Sequence, residues 1–508
     1  MCLLWYDLDK VMRFICLKRN TKSEREDVKM HTAEIIGREY EWDTLEERVS
    51  RDEAQLIVVY GRRRVGKTYF INEFFHHQFD FKFTGIYKQP AKVQLFGFSE
   101  ELSRQSGEKH PVPQNWINAF SMLREYLEAK PEKEKQVVFF DEIPWMDTPR
   151  SGFLSAFERF WNSWGSARHN LIFVICGSAT SWMVENIDQN RGGLYNRATC
   201  RMYLKPFNLY ETEKYLQSRG IIWTRYKIAE CYMIMGGIPY YLSLLRPDLT
   251  FEQNIDNIFF KDKSELFDEF NNLYHTLFKN SADYIRVVDV LSTKKSGYTR
   301  DEIVAKTRLA NNGNLTKILN NLEYSGFIRI TRMFNKKKKD MVYQLADYFT
   351  AFYYKYIKDN YGADEHFWSN SAMSPMRNAW AGFTFEQLCR DHVRQIKKKL
   401  GISGILSDVT SWRKQKDEES DGAEIDLLID RRDRVINVCE IKYANGEYVI
   451  DKEYNRALRN KVETFRHATD TKKALHLTMI TTYGVKRNMY GNEIVFQVTL
   501  DDLFENGE

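Results

Sequence analysis

Two sets of residues in this 508-residue chain have the types and spacing to do chemistry. The first is Gly61-Arg62-Arg63-Arg64-Val65-Gly66-Lys67-Thr68, which satisfies GxxxxGK[ST] between the apolar run Leu56-Ile57-Val58-Val59-Tyr60 and an amphipathic stretch. Its glycines let backbone N–H groups turn toward phosphates, Lys67 would neutralise the β and γ oxygens of ATP, and the Thr68 hydroxyl would hold Mg²⁺. All eight residues are expected at the nucleotide. Further on, Val137-Val138-Phe139-Phe140 ends in Asp141-Glu142, with Asp141 placed to hold the metal and Glu142 to polarise the attacking water. The apolar run 171–175 leads to Ser178, whose hydroxyl would stand near the γ-phosphate or would cap the next helix. The second set comprises Asp426 and Glu440, polar positions in the apolar runs 423–429 and 438–443, with Lys442 on the face of Glu440. Two carboxylates and a lysine at one sheet edge suit a divalent metal and an activated water. Without metal the two acids should repel and raise at least one pKa.

The elements that must position these groups follow from hydrophobic patterning. Short apolar runs at 55–60, 136–140 and 171–175, alternating with longer amphipathic stretches, predict a parallel sheet covered by helices over residues 30–207. Residues 208–278 read as a helical sub-domain, including helices at 211–218 and 225–235. Residues 279–345 read as a winged helix-turn-helix, with helices at 282–292, 299–307 and 314–325 and two strands around 335–340. Lys279 to Tyr343 carry fourteen basic residues against six acidic. Helix 314–321 and the lysines 336–339 would therefore contact duplex DNA, unless the module docks a protein. A helical connector, 346–378, has an aromatic stripe of Phe349, Phe352, Tyr353 and Tyr356 read as core packing. The last domain, 379–508, shows strands near 407–412, 423–430, 435–443 and 474–481, with a helix at 453–469.

Lysine plus arginine exceed aspartate plus glutamate by 75 to 70, too even a balance for the whole molecule to be a nucleic-acid binder. Seven scattered cysteines without a CxxC pair suggest neither zinc knuckle nor disulfide framework, and fit a reducing cytoplasm. No run has the length of a membrane span, and residues 1–29 read as a loose arm or an upstream-start artefact.

Together with Ile36-Gly37-Arg38-Glu39, Phe140-Asp141-Glu142, Leu194-Tyr195-Asn196-Arg197, Leu204-Lys205-Pro206-Phe207 and Gly236-Gly237-Ile238-Pro239-Tyr240, the phosphate loop resembles that of the prokaryotic STAND-type AAA-related ATPases. The resemblance is to the branch whose C-terminal domain is similar to PD-(D/E)XK nucleases, and it spans about residues 30 to 500. It implies that Arg197 reads the γ-phosphate and that the turn ending in Pro239 sets the helical sub-domain against nucleotide. Bland alternatives are a surface cation and a helix stop. It also implies that nucleotide holds an off state rather than driving fast turnover; a nucleotide-dependent oligomer or protein partner is a further expectation. Asp426, Glu440 and Lys442 match Asp-x(13)-Glu-x-Lys, and Glu386 resembles the additional acid of the group. Ile425 replaces the motif's proline, which leaves open a structural network in a degenerate nuclease fold. Glu424 and Asp421 are reserve ligands.

Overall fold

Leu56, Ile57, Val58 and Val59 are buried on both faces of their strand, as the centre of a parallel sheet requires. That strand, Gln55–Tyr60 (β1), joins Phe81–Thr84 (β2), Gln136–Asp141 (β3), Leu171–Gly177 (β4) and Cys200–Tyr203 (β5) in the order β2-β3-β4-β1-β5, all parallel. Helices Ala91–Ser106, Trp116–Ala129 and Phe153–Ser163 seal one face, through a core that includes Phe83, Phe98, Trp116, Phe120, Phe140 and Phe173. The computed structural model describes residues 35–131, 135–188, 196–278, 280–336, 340–360, 364–372, 374–414 and 422–507. The chain divides into two units, Met1–Ile36 and Gly37–Glu508. The expected arm, 1–29, the Leu194-Tyr195 pair, lysines 337–339 and Asp421 lie outside the described residues.

Helices Leu209–Ser218, Arg225–Met235, Pro239–Ser243, Phe251–Ile255 and Glu269–Leu277 follow the first sheet. The first starts where Asn208 and Glu211 form a reciprocal capping box. Then come helices Ser281–Ser292, Arg300–Thr307 and Gly313–Tyr324, with an antiparallel sheet of Tyr298–Thr299 (β6), Ile328–Thr331 (β7) and Val342–Leu345 (β8) in the order β6-β8-β7. The hairpin strands thus flank the 335–340 stretch. Asn335 sits at φ 57°, a turn conformation that strands do not use. Beyond β7, Phe334 is buried against Trp412 and Phe465, and its N–H donates to Ser411 O at 2.8 Å, so this hairpin is anchored in the last domain.

The last sheet runs β13-β12-β11-β10-β9, from Ser407–Lys414 (β9), Ala423–Arg431 (β10), Val435–Lys442 (β11), Ala474–Thr481 (β12) and Phe496–Thr499 (β13). β9, β10 and β11 are antiparallel neighbours, whereas β11, β12 and β13 are parallel. Helix Lys452–Thr469 makes the β11 to β12 crossover and buries Phe465 against Leu428 and Val438, and helix Pro375–Asp391 sets Phe385 5.4 Å from the Tyr443 ring. Phe349, Phe352 and Tyr356 are buried, as a core stripe should be. Among the described residues no helix is long and apolar enough to cross a membrane, and the five described cysteines are free and buried.

Candidate functional site

The phosphate loop leaves the C-terminal end of β1, the end at which open parallel sheets place ligands. Gly66 caps the helix Lys67–Phe74 at φ 87°, and a Cβ added there would meet nothing within 4 Å, so the loop faces open space. Buried Lys67 donates from Nζ to Gly61 O at 3.0 Å and to Arg62 O at 2.9 Å. Thr68 Oγ1 donates to Asp141 Oδ2 at 2.8 Å, bringing the two expected Mg²⁺ ligands together. A hydroxyl and a carboxylate are the hard oxygen donors Mg²⁺ takes, and the residues fit a Mg-nucleotide.

Glu142, at φ 49°, turns its carboxylate to Ser178, which donates its N–H to Oε2 at 3.0 Å and its hydroxyl to Oε1. Ser178 therefore positions Glu142. It is not a helix cap, because the next helix, Thr180–Met183, has Ala179 at its start and no side-chain cap.

The loop arginines depart from expectation. Arg62 is buried, pairs with Asp347 and stacks 5.0 Å from the Phe327 ring centroid; Arg64 pairs with Glu269 at 2.8 Å and lies 4.2 Å from Tyr240. These side chains are committed to downstream elements, so at Arg62 and Arg64 only the backbone is left for phosphate. Arg63 is half-buried, and its charge reaches Glu269. Arg38 donates to Val65 O at 3.2 Å, and Tyr240 N–H, one residue past Pro239, donates to Arg64 O at 3.4 Å. The Gly-Gly-x-Pro turn thus abuts the loop; Gly237 is needed because a Cβ would come 2.1 Å from Phe207 O.

Arg197 is exposed and precedes β5, whose first residue is level with Ile57 near the start of β1. Within this chain it stands a strand length from the loop, at the wrong end of the sheet to read the γ-phosphate.

In the last domain, one step beyond the Leu427–Cys439 pair, Asp426 comes abreast of Glu440. Both line a cavity of about 510 Å³ with Glu386, Lys442, Glu424 and Arg390. The expected repulsion between Asp426 and Glu440 is not what the side chains show. Glu440 accepts from Lys461 at 2.5 Å, from Tyr454 at 2.8 Å and from Lys442 at 3.1 Å. Burial alone would raise its pKa, but Lys461, Lys442 and the Tyr454 hydroxyl hold it below the ordinary value. Both Glu440 oxygens are thus taken, and a metal shared with Asp426 would have to displace Lys461; the pair as it stands does not fit a metal. Among the described residues no three His, Cys, Asp or Glu side chains are grouped to hold a metal ion. Glu424 lies 3.8 Å from Arg413.

The acid with raised proton affinity is Glu386, pushed up to about 7 by burial first and by Asp426 second. The folded protein therefore holds this proton more tightly than the unfolded chain, whose glutamate titrates near 4.5. The resulting stabilisation is full below pH 4.5 and is lost as pH rises through 7, on the order of 3 kcal/mol in all, of which about 2–3 kcal/mol falls between pH 5 and 8. Glu386→Gln cannot ionise. Urea titrations at pH 5 and 8 should show the wild type losing stability across this interval by that amount more than the variant, and parallel losses would contradict the assignment.

Sequence reasoning missed Lys461 and Tyr454. Their signal was spacing: seven apart, they share one face of the helix that follows the Glu-x-Lys strand. It also missed Asp347 and Glu269, acids with no motif around them.

The loop, the Thr68–Asp141 contact and the parallel sheet make up a P-loop NTPase fold. Residues 35–245 match a family model described as an ATPase domain predominantly from Archaea, and residues 348–457 match one for archaeal and bacterial proteins of unknown function. An uncharacterized protein of Methanocaldococcus jannaschii is 25% identical over 416 residues, 80% of this chain and 87% of that one. Among solved structures, a Walker-type ATPase of Pyrococcus abyssi is 18% identical with a TM-score of 0.42, over 62% of this chain and 95% of its own. The ORC2 protein of Aeropyrum pernix is 14% identical with a TM-score of 0.41, over 63% and 92%.

Proposed function

We propose that the chain is a cytoplasmic, ATP-hydrolysing switch of STAND type, whose nucleotide state sets how the winged helix and the C-terminal nuclease-like domain engage DNA. The observation that carries the nucleotide part is the hydrogen bond from Thr68 to Asp141 beside Lys67. Bound Mg²⁺ would screen the phosphate charge; Thr68 and Asp141 would hold it, Lys67 would orient the β and γ oxygens, and Glu142, steadied by Ser178, would take the proton of the attacking water. The match of residues 35–245 to an ATPase family supports hydrolysis. The path from nucleotide to the rest of the chain is the loop itself: Arg62 grips Asp347 ahead of the connector helix, and Arg64 grips Glu269 in the helical sub-domain. In the small module Lys336 is exposed, as are Asn314 and Lys317 on the third helix, and these support its reading as the DNA-contacting winged helix.

Glu142→Gln keeps the shape and removes the basic oxygen. It should lower ATP turnover by about a hundredfold while leaving nucleotide affinity within a few-fold. Steady-state phosphate release beside calorimetric binding checks this, and unchanged turnover would remove Glu142 from its role.

A second reading, a metal-dependent nuclease of the PD-(D/E)XK kind, is favoured by Asp426, Glu440 and Lys442 lying in one cavity with Glu386, whose proton affinity burial raises. The switch reading is preferred because Lys461, Lys442 and Tyr454 already occupy Glu440. Plasmid nicking in Mg²⁺ or Mn²⁺ that Asp426→Ala abolishes would reverse that preference; no nicking, or nicking equal in wild type and variant, upholds it.

A further inference from the structure

The cavity holding Asp426 and Glu440 is not isolated. A second cavity, of about 570 Å³, shares Lys294, Lys295, Leu345 and Phe383 with it, so the two adjoin as one crevice would where the small module meets the connector and the last domain. Lys294 and Lys295 follow the helix Ser281–Ser292, whereas Phe383 belongs to the helix Pro375–Asp391. Lys295 is exposed, and its ammonium stands 4.7 Å from the Phe383 ring centroid. The second cavity adds Tyr354 and Trp380, with the exposed Lys355 and Lys358. Lys358 lies 5.0 Å from the Tyr354 ring.

Ammonium groups interleaved with aromatic rings inside a crevice suit a chain of phosphates that carries free base faces. A duplex keeps its base faces stacked within the helix, and each cavity has the size of a small-molecule site, about 300–1,000 Å³. We propose that this crevice binds a single-stranded polynucleotide, with Lys295 and Lys355 on its phosphates and Phe383 and Tyr354 as stacking surfaces, leading the strand toward Asp426 and Glu440. This rests on the reading that the C-terminal half handles nucleic acid, and it names the form of that nucleic acid. The duplex held by the winged helix is then a separate contact from the strand in the crevice.

The test is fluorescence anisotropy of the full chain with a labelled oligo(dT) 20-mer and with a blunt duplex of the same length, in EDTA so that no cleavage intervenes. The single strand should bind at least tenfold tighter than the duplex. Lys295→Glu should weaken it about tenfold, with salt dependence reduced, and Phe383→Leu about fivefold, with the duplex affected by neither. Oligo(U) of the same length separates RNA from DNA as the strand, and tight binding of either supports the crevice. Equal affinity for duplex and single strand, no single-strand binding, or an unchanged affinity in Lys295→Glu would overturn the proposal. Lys295 is exposed, so that variant should fold; melting curves confirm it. A separate incubation with Mn²⁺ reads cleavage: single-strand binding without cleavage leaves the crevice standing and removes only the nuclease reading.

Discussion

Lys67→Ala should lower ATP affinity by a hundredfold or more. Its ammonium is already fixed beside the loop by Gly61 O and Arg62 O, so it needs little further ordering to meet the phosphates. A hydrogen bond to a charged group contributes about 1.5–3 kcal/mol, and an ammonium shared by β and γ oxygens makes two of them, which alanine removes. Titration calorimetry with Mg-ATP measures the loss, and affinity within threefold of wild type would refute the assignment of the loop.

The second large effect lies away from the nucleotide. Asp347→Ala should destabilise the protein by about 3–5 kcal/mol, because it leaves the buried Arg62 guanidinium without its partner. Nη1 of Arg62 pairs with Asp347, while Nε and Nη2 are buried without hydrogen-bond partners, so no other acceptor is at hand. Asp347 also accepts from Thr350 N at 2.9 Å and from its hydroxyl, capping the helix Tyr348–Phe352. Replacing both partners, as in Arg62→Met with Asp347→Leu, removes the stranded charge and should recover most of the loss. Urea unfolding of the three proteins checks this. A double variant no more stable than Asp347→Ala would mean that the cap or the packing, rather than the charge, carries the effect.

What the sequence made legible is what local patterning controls. GxxxxGK[ST] after an apolar strand can hardly fold otherwise, and Thr68 meets Asp141 because both follow the C-terminal ends of parallel strands, β1 and β3, that flank β4. Helix boundaries in the small module came out within a residue or two, since Asn312 and Thr299 are strong N-caps. The side chains of Arg62 and Arg64, expected at the nucleotide, turn to Asp347 and Glu269 for one reason. A motif fixes the backbone of its loop, but where a long side chain goes depends on elements hundreds of residues away. Asp347 and Glu269 carry no motif, so nothing near Arg62 or Arg64 in sequence announces them. Glu440 shows the same limit: its strand and its pairing with Lys442 were readable, whereas Lys461 and Tyr454 arrive on a crossover helix whose rotation only packing decides. The edge strands β2, β5 and β13 are four residues each, with β2 and β5 alternating buried and less buried positions and β13 burying only Val498, too short a signal beside the central strands.

The central claim is that nucleotide at the phosphate loop controls how the C-terminal half holds nucleic acid. It is tested most directly by titrating the full chain with labelled oligo(dT) in the presence and absence of a saturating non-hydrolysable ATP analogue with Mg²⁺, for wild type and Lys67→Ala. Coupling between ligand sites is typically fivefold or more in affinity. The analogue should change oligonucleotide affinity by at least about fivefold in wild type and leave Lys67→Ala unmoved. An affinity unchanged by the analogue in wild type, under conditions where calorimetry shows the nucleotide bound, would contradict the switch.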